Sequence, residues 1–240
     1  MNLQKKLDLS RQPLSTPPGT IPVKENGDSL VSLHSSKTLQ IIPIWVEMID
    51  PFEGPAYRLY IEKHPNYQHI YTRQTVATML EQVTKKLPHD WQLVVRASHR
   101  PLEVQHLLFD QVHDDFKKKH PEKSLEETLA ITRTFVSDPT QKVPPHSSGA
   151  AVDVDVFNTN SQELVDFGCP VNTDDTIAFL YAQELTAEQK HNRLVLLSAM
   201  LDVGFASLYT EWWHFSYGDQ NWASFYNKKN ALYGLVEPEV

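Results

Sequence analysis

The chain has 240 residues, a formal net charge of −8, 40% hydrophobic and 22% charged residues. That make-up is ordinary for a globular protein with room for one sizeable core. The longest basic run is Lys117 to Lys119, so no nucleic acid is expected as a partner; no apolar run approaches the ~20 residues of a membrane helix, so no membrane is expected either. Cys169 is the single cysteine, which excludes an internal disulfide and a cysteine-rich zinc site and leaves His, Asp and Glu to hold any metal.

Residues 1–36 carry Pro13, Pro17, Pro18 and Pro22 among many Ser and Thr. Proline opposes a regular helix and a central strand, so this stretch reads as an extended arm, disordered or lying on the body. The body is then residues 37–240. Lys5 and Lys6 are followed by no apolar segment, so the start does not read as a secretory signal. The expectation is a cytoplasmic protein, or a periplasmic one if a leader preceded Met1.

Along the body, "YRLYI" (57–61) is rich in strand formers. "TVATMLEQVTKKL" (75–87) has apolar residues at 76, 79, 80, 83 and 87, the spacing of an amphipathic helix. "WQLVVRAS" (91–98) reads as a buried strand. Pro101 then suits the first turn of a helix whose apolar residues 104, 107, 108, 112 and 116 form one face. A second helix covers 124–136, with Ser124 and Glu127 as a capping box. "AVDVDVF" (151–157) alternates as a strand, with Val152, Val154 and Val156 toward the core. The next helix starts at the N-cap Thr186 and stops at Gly204. "FASLY" and "WHFSY" are short strands near the end. Without regular βαβ alternation, the fold expected is α+β: a central, mainly antiparallel sheet flanked by helices.

"PPHSSGAAVDVDVF" (144–157) puts Asp153 and Asp155 on one strand face, about 7 Å apart. Gly149 permits a turn that would bring His146 over that face. The stretch is either a polar strand edge or part of a metal site, with the nitrogen and oxygen donors that zinc accepts. "YTEWWHFSY" (209–217) adds Glu211 and His214 among aromatic residues. A carboxylate there is costly to bury unless it is paired or its pKa is raised, and a raised pKa suits a general base. His146, Asp153 and His214 would supply three ligands, leaving Glu211 as the base. A bend at Trp212 or Trp213 would be required, because strand positions three apart face opposite ways. Arg100, between a buried strand and Pro101, is either a helix-start arginine in an ion pair or a guanidinium that steadies an oxyanion. His106 and His113 read as solvated, and Cys169 as a small buried hydrophobe.

The order Arg100-Pro101, then His146-Ser-Ser-Gly149-Ala-Ala-Val-Asp153, then Glu211-Trp-Trp-His214-Phe215 resembles the D-alanyl-D-alanine dipeptidase family of zinc peptidases, peptidase family M15. That family shares a fold with D,D-carboxypeptidases and the hedgehog signalling domain. The resemblance runs from about residue 40 to 220 and includes "DPFEG" (50–54). It implies one Zn2+ per chain on His146, Asp153 and His214, Glu211 as catalytic base, Arg100 as the transition-state stabiliser, and a small dipeptide as substrate. Three positions depart from the family pattern: Pro144-Pro145 ahead of the first histidine, Ser98-His99 ahead of Arg100, and the extra carboxylate Asp155. Two further readings keep the fold. One is a D,D-carboxypeptidase or other cell-wall peptide hydrolase; the other is a non-catalytic zinc-binding module, which would need neither Glu211 nor Arg100.

Overall fold

A computed structural model describes residues 1–43, 53–67, 69–140, 142–173 and 175–238; Asp50, Pro51 and Phe52 of "DPFEG" lie outside them. The elements run α1 (Leu3–Ser10), β1 (Leu30–Ser32), β2 (Leu39–Ile41), α2 (Glu53–Lys63), β3 (Tyr71–Arg73), α3 (Gln74–Thr84), β4 (Trp91–Ala97), α4 (Leu102–Lys119) and α5 (Leu125–Phe135). They continue with β5 (Ala151–Asn158), β6 (Glu163–Leu164), α6 (Ala187–Val203), β7 (Ala206–Leu208), β8 (Glu211–Ser216) and α7 (Gln220–Phe225).

The main sheet has the order β2-β4-β5-β8-β7, with β6 added to β5. All of its pairs are antiparallel except β2 with β4. The architecture is α+β, as the sequence pattern predicts. Val152, Val154 and Val156 of β5 are fully buried beside Leu93 and Val95 of β4, on the face covered by α3 and α6. The opposite face carries Asp153, and the polar side chains of the site gather over it. A smaller two-stranded sheet pairs β1 with β3.

Three helix boundaries follow the expected chemistry. Ser124 and Glu127 form a reciprocal capping box on α5, Thr186 and Gln189 form one on α6, and Gly204 ends α6 at φ 119°. "YRLYI" is not a strand but the middle of α2. Ala56, Tyr57 and Tyr60 are its buried hydrophobic residues, an i, i+1, i+4 spacing, so tertiary packing of a helical face overrides local strand propensity. His113 is half-buried and hydrogen-bonds Thr128 across the α4–α5 contact (3.1 Å), whereas His106 is exposed. Cys169 is partly buried against the core, with Arg193 Nη2 at 3.7 Å from its Sγ. Among the described residues no helix is long and apolar enough to cross a membrane.

The arm lies on the body, and it begins with a helix. Asn2 caps α1 by accepting from Lys5 N, and α1 ends before the first proline. Lys6 Nζ reaches the Leu201 carbonyl at the end of α6 (2.6 Å), a favourable place for a cation. Ser10 bonds Tyr181 Oη (2.7 Å), and the Arg11 guanidinium sits over that ring. Further on, Ser224 donates to the Thr16 carbonyl and Gln220 to that of Ile21 (both 2.6 Å), and Val23 bridges Ala231 in parallel.

Candidate active site and metal centre

His146 opens a short 3-10 turn, His146–Ser148, which Gly149 closes at φ 69°. The left-handed backbone favours glycine here, and a Cβ on residue 149 would stand 2.6 Å from Leu30 Cδ1, whose side-chain tip would have to shift. The small sheet holds this turn from behind. Thr72 Oγ1 and Arg73 N donate to the Gly149 carbonyl (3.0 and 2.9 Å), and Arg73 Nε donates to that of Ser148 (2.8 Å). Arg73 also donates to the Asp28 and Gly234 carbonyls and pairs with Glu25, so one buried guanidinium ties arm, turn and C-terminal segment together.

The turn points His146 at β5. In the β5–β8 register Asp153 stands opposite His214. His146 Nε2 is 3.2 Å from Asp153 Oδ2, and His214 Nδ1 is 3.0 Å from Asp153 Oδ1. The three residues each bring one donor atom within 4.8 Å of the others, and all three are buried. Glu211 Oε2 lies 3.7 Å from His214 Nδ1. The required bend exists. Against β7, Ser207 pairs with Phe215 but Leu208 pairs with Glu211, so Trp212, Trp213 and His214 bulge out of that pairing while His214 keeps its place opposite Asp153, and both ends of the motif reach the same side. The two tryptophans part company there: Trp212 stacks on Phe167 in the core (4.2 Å), and Trp213 lines the cavity.

The donor set fits a divalent transition metal. Ser98's carbonyl can only accept, so His146 Nδ1, 2.7 Å away, carries the proton. Its Nε2 therefore presents a lone pair to a carboxylate oxygen at 3.2 Å. Two acceptors so placed need a cation or a proton between them. Burial works against the proton, holding His146 below the usual imidazole range despite Asp153. Burial also pushes Asp153 up, but positive charge at the two neighbouring ring positions, which a bound cation would supply, more than offsets it and keeps the carboxyl well below the carboxylate range. Asp155 stays out of the cluster; its Oδ1 accepts from the backbone N–H of Val156 (2.8 Å).

Glu211 is raised by burial against the pull of His214, with Asp153 pushing the same way as burial. A carboxylate so placed takes up a proton more readily than a free one. Arg100 is buried and lines the same cavity of about 760 Å³. Its Nη1 donates to Gln105 Oε1 (2.8 Å), and Gln105 Nε2 donates to the Ser137 carbonyl (2.8 Å), so the amide that receives the guanidinium is itself anchored. The structure thus brings all five sequence-predicted residues to one cavity. Gln105, Arg73 and Ser98 are contributors the motifs do not reveal. Gln105 left one signal: it is a polar residue on the apolar face of α4.

Comparison with known proteins follows the same residues. The chain is 29% identical to a D-alanyl-D-alanine dipeptidase of Synechocystis, across 61% of this chain and 70% of that protein. It is 25% identical to one of Enterococcus faecium, across 48% of this chain; that match spans 55%, about half, of the relative's length. Among solved structures, a vancomycin-resistance D,D-pentapeptidase crystallised with Zn(II) aligns over 69% of this chain and 83% of its own, with 15% identity and a TM-score of 0.40. The model of the Peptidase M15 family, described as D-Ala-D-Ala dipeptidase, matches residues 61–231. That span holds the arginine, the turn histidine, the β5 aspartate and the whole of β8, and by it the chain belongs to the D-Ala-D-Ala dipeptidase family of peptidases.

Proposed function

We propose that the chain hydrolyses D-Ala-D-Ala, or a similar D-amino-acid dipeptide, with one bound Zn2+, in cell-wall peptide metabolism. The observation that carries this reading is the convergence of His146, Asp153 and His214 with Glu211 and Arg100 on one cavity. His146, Asp153 and His214 would hold the ion. When bound, zinc polarises a carbonyl and lowers the pKa of a water. Glu211 accepts the proton of the attacking water on a carboxylate oxygen and delivers it to the departing amine nitrogen. Arg100, held by Gln105, offers N–H donors to the oxygen that gains charge as the carbonyl becomes tetrahedral. A non-catalytic zinc module would need neither of these two groups.

A second reading, a D,D-carboxypeptidase or related peptide hydrolase, is favoured by the size of the cavity, about 760 Å³, which is more than two alanines fill. Hydrolysis of free D-Ala-D-Ala set against a pentapeptide ending in it separates the two, since a dipeptidase rejects the longer chain. The mechanism is tested by zinc content and kcat of Glu211→Ala, Arg100→Ala and His214→Ala side by side. Glu211→Ala should keep zinc and lose ~10²- to 10⁴-fold in kcat. Arg100→Ala should keep zinc and lose turnover with little change in substrate binding. His214→Ala should lose activity in step with zinc. Zinc lost from Glu211→Ala but kept by His214→Ala would reverse the assignment.

A further inference from the structure

His214 has two ring nitrogens with different surroundings. Nδ1 faces Asp153 and Glu211 at 3.0 and 3.7 Å. Nε2 is buried and has no hydrogen-bond partner. A neutral imidazole that gives Nδ1 to a metal must carry its proton on Nε2, and a buried N–H without an acceptor costs ~1–3 kcal/mol.

A buried carboxylate oxygen just past the end of β8 is in the same condition, more than 4.0 Å from Nε2 and not bonded to it in this structure. Asp219 is 2% exposed, and its Oδ2 has no partner. Its other oxygen is fully used: Oδ1 accepts from Ser216 Oγ (2.8 Å) and from Trp222 N (2.7 Å), capping α7. Residues 214 and 216 of a strand share a face, so the Ser216 bond places the Asp219 carboxylate on the His214 side of β8. The turn between them is tight, with Gly218 at φ 85°. Both cross-strand neighbours of Ser216 are alanines, Ala151 and Ala206, which leaves room over that face. The two groups also sense each other: the Asp219 charge favours protonated His214, and His214 pulls against the burial that raises Asp219.

We propose that Asp219 is a positioning residue for the metal centre: when a metal takes Nδ1 of His214 and leaves the ring proton on Nε2, Asp219 Oδ2 turns to accept that proton and so fixes the tautomer and ring plane. The arrangement is a carboxylate–histidine–metal relay in which Asp219 never touches substrate. It rests on the metal reading of the site given above.

The discriminating variant is Asp219→Asn. Its amide oxygen can replace Oδ1 as the α7 cap, but it puts an N–H2 where Oδ2 stood, facing another donor. Metal-free wild type and variant are titrated with Zn2+ against a chromophoric chelator. The expected result is an affinity loss of ~10- to 100-fold, with the metal-free melting temperature little changed. In parallel, long-range 1H–15N correlation on zinc-loaded wild type should show His214 protonated at Nε2 and metal-bound at Nδ1. Undiminished zinc affinity in Asp219→Asn overturns the proposal and leaves the metal reading intact. So does a wild-type spectrum with Nδ1 protonated, a measurement that needs no variant to fold. Wild type that binds no Zn2+ overturns the metal reading, and this proposal with it.

Discussion

Arg100 and His99 are adjacent, both buried, and do opposite things with charge. Arg100 keeps its charge and is aimed by Gln105. Replacing Gln105 by Leu keeps the volume and apolar character of the α4 face but removes its bond to Arg100 Nη1. The expected outcome is a kcat lower by ~10- to 100-fold with KM little changed and zinc retained, since a small misplacement is felt mainly in the transition state; equal kcat for both proteins would refute the role given to Gln105. His99 instead stays neutral. Burial, helped by the charges of His146, Arg73 and Arg100, lowers it to about 4, against its Nε2–H bond to the Val236 carbonyl (2.8 Å). The unfolded chain takes up this proton near pH 6.5, the fold only near 4. The unfolded state therefore binds more protons between those values. Stability from His99 is complete above about 6.5 and is lost as pH falls toward 4, by roughly 3 kcal/mol in total. Melting temperatures of wild type and His99→Phe from pH 4 to 7 check this: the wild-type slope should be the steeper, and parallel curves would count against it.

At the scale of elements, the site depends on two local irregularities, the Gly149 turn and the β8 bulge. Gly149→Ala forces a non-glycine residue to φ 69° and pushes a methyl against Leu30. A cost of ~2 kcal/mol in stability is expected from the left-handed backbone and the crowding. His146 should be displaced with the turn, so zinc affinity should fall as well; a variant that melts lower yet binds zinc normally would separate the turn from the metal centre. The glycine was legible, because spacing alone asks for a reversal between His146 and Asp153. The alternating valines of β5, the capping box of α5 and the N-cap Thr186 of α6 were legible for the same reason: each is a local rule satisfied by adjacent residues. The bulge was legible only as a need. What supplies it is the register against β7, a pairing between strands that no local pattern encodes. α2 departs from its local pattern on the same ground. Its tyrosines favour strand locally, while their burial at helical spacing is decided by what packs on them. Arg73 left no local signal, since its partners come from Asp28, Ser148 and Gly234, far apart in the chain.

Across the whole molecule, the arm is the feature that composition described least well. Proline and serine content marks it as unable to form a core of its own. It does not reveal that the body offers acceptors and a ring to receive it, at Leu201 and Tyr181, and donors at Gln220 and Ser224. The arm lies N-terminal to the span that the family model matches, yet Pro13, Leu14 and Pro18 line the same cavity as Glu211 and His214. They carry no titratable group, so their part is to wall the space that substrate enters. Interactions of that kind hold ground state and transition state alike, and their loss raises KM without lowering kcat. Leu14→Ala and removal of residues 1–18 should therefore both raise KM for the dipeptide, the deletion more, while zinc stoichiometry and kcat stay near wild type. The deletion also strips Lys6 from the end of α6 and Ser10 from Tyr181, so its melting temperature should fall where that of Leu14→Ala barely moves. Widening the cavity should in addition let longer peptides enter, and the ratio of pentapeptide to dipeptide hydrolysis should rise in the deletion. If KM and that ratio are both unchanged in the two variants, the arm is a brace for α6 and α7 and has no share in the cavity's selectivity.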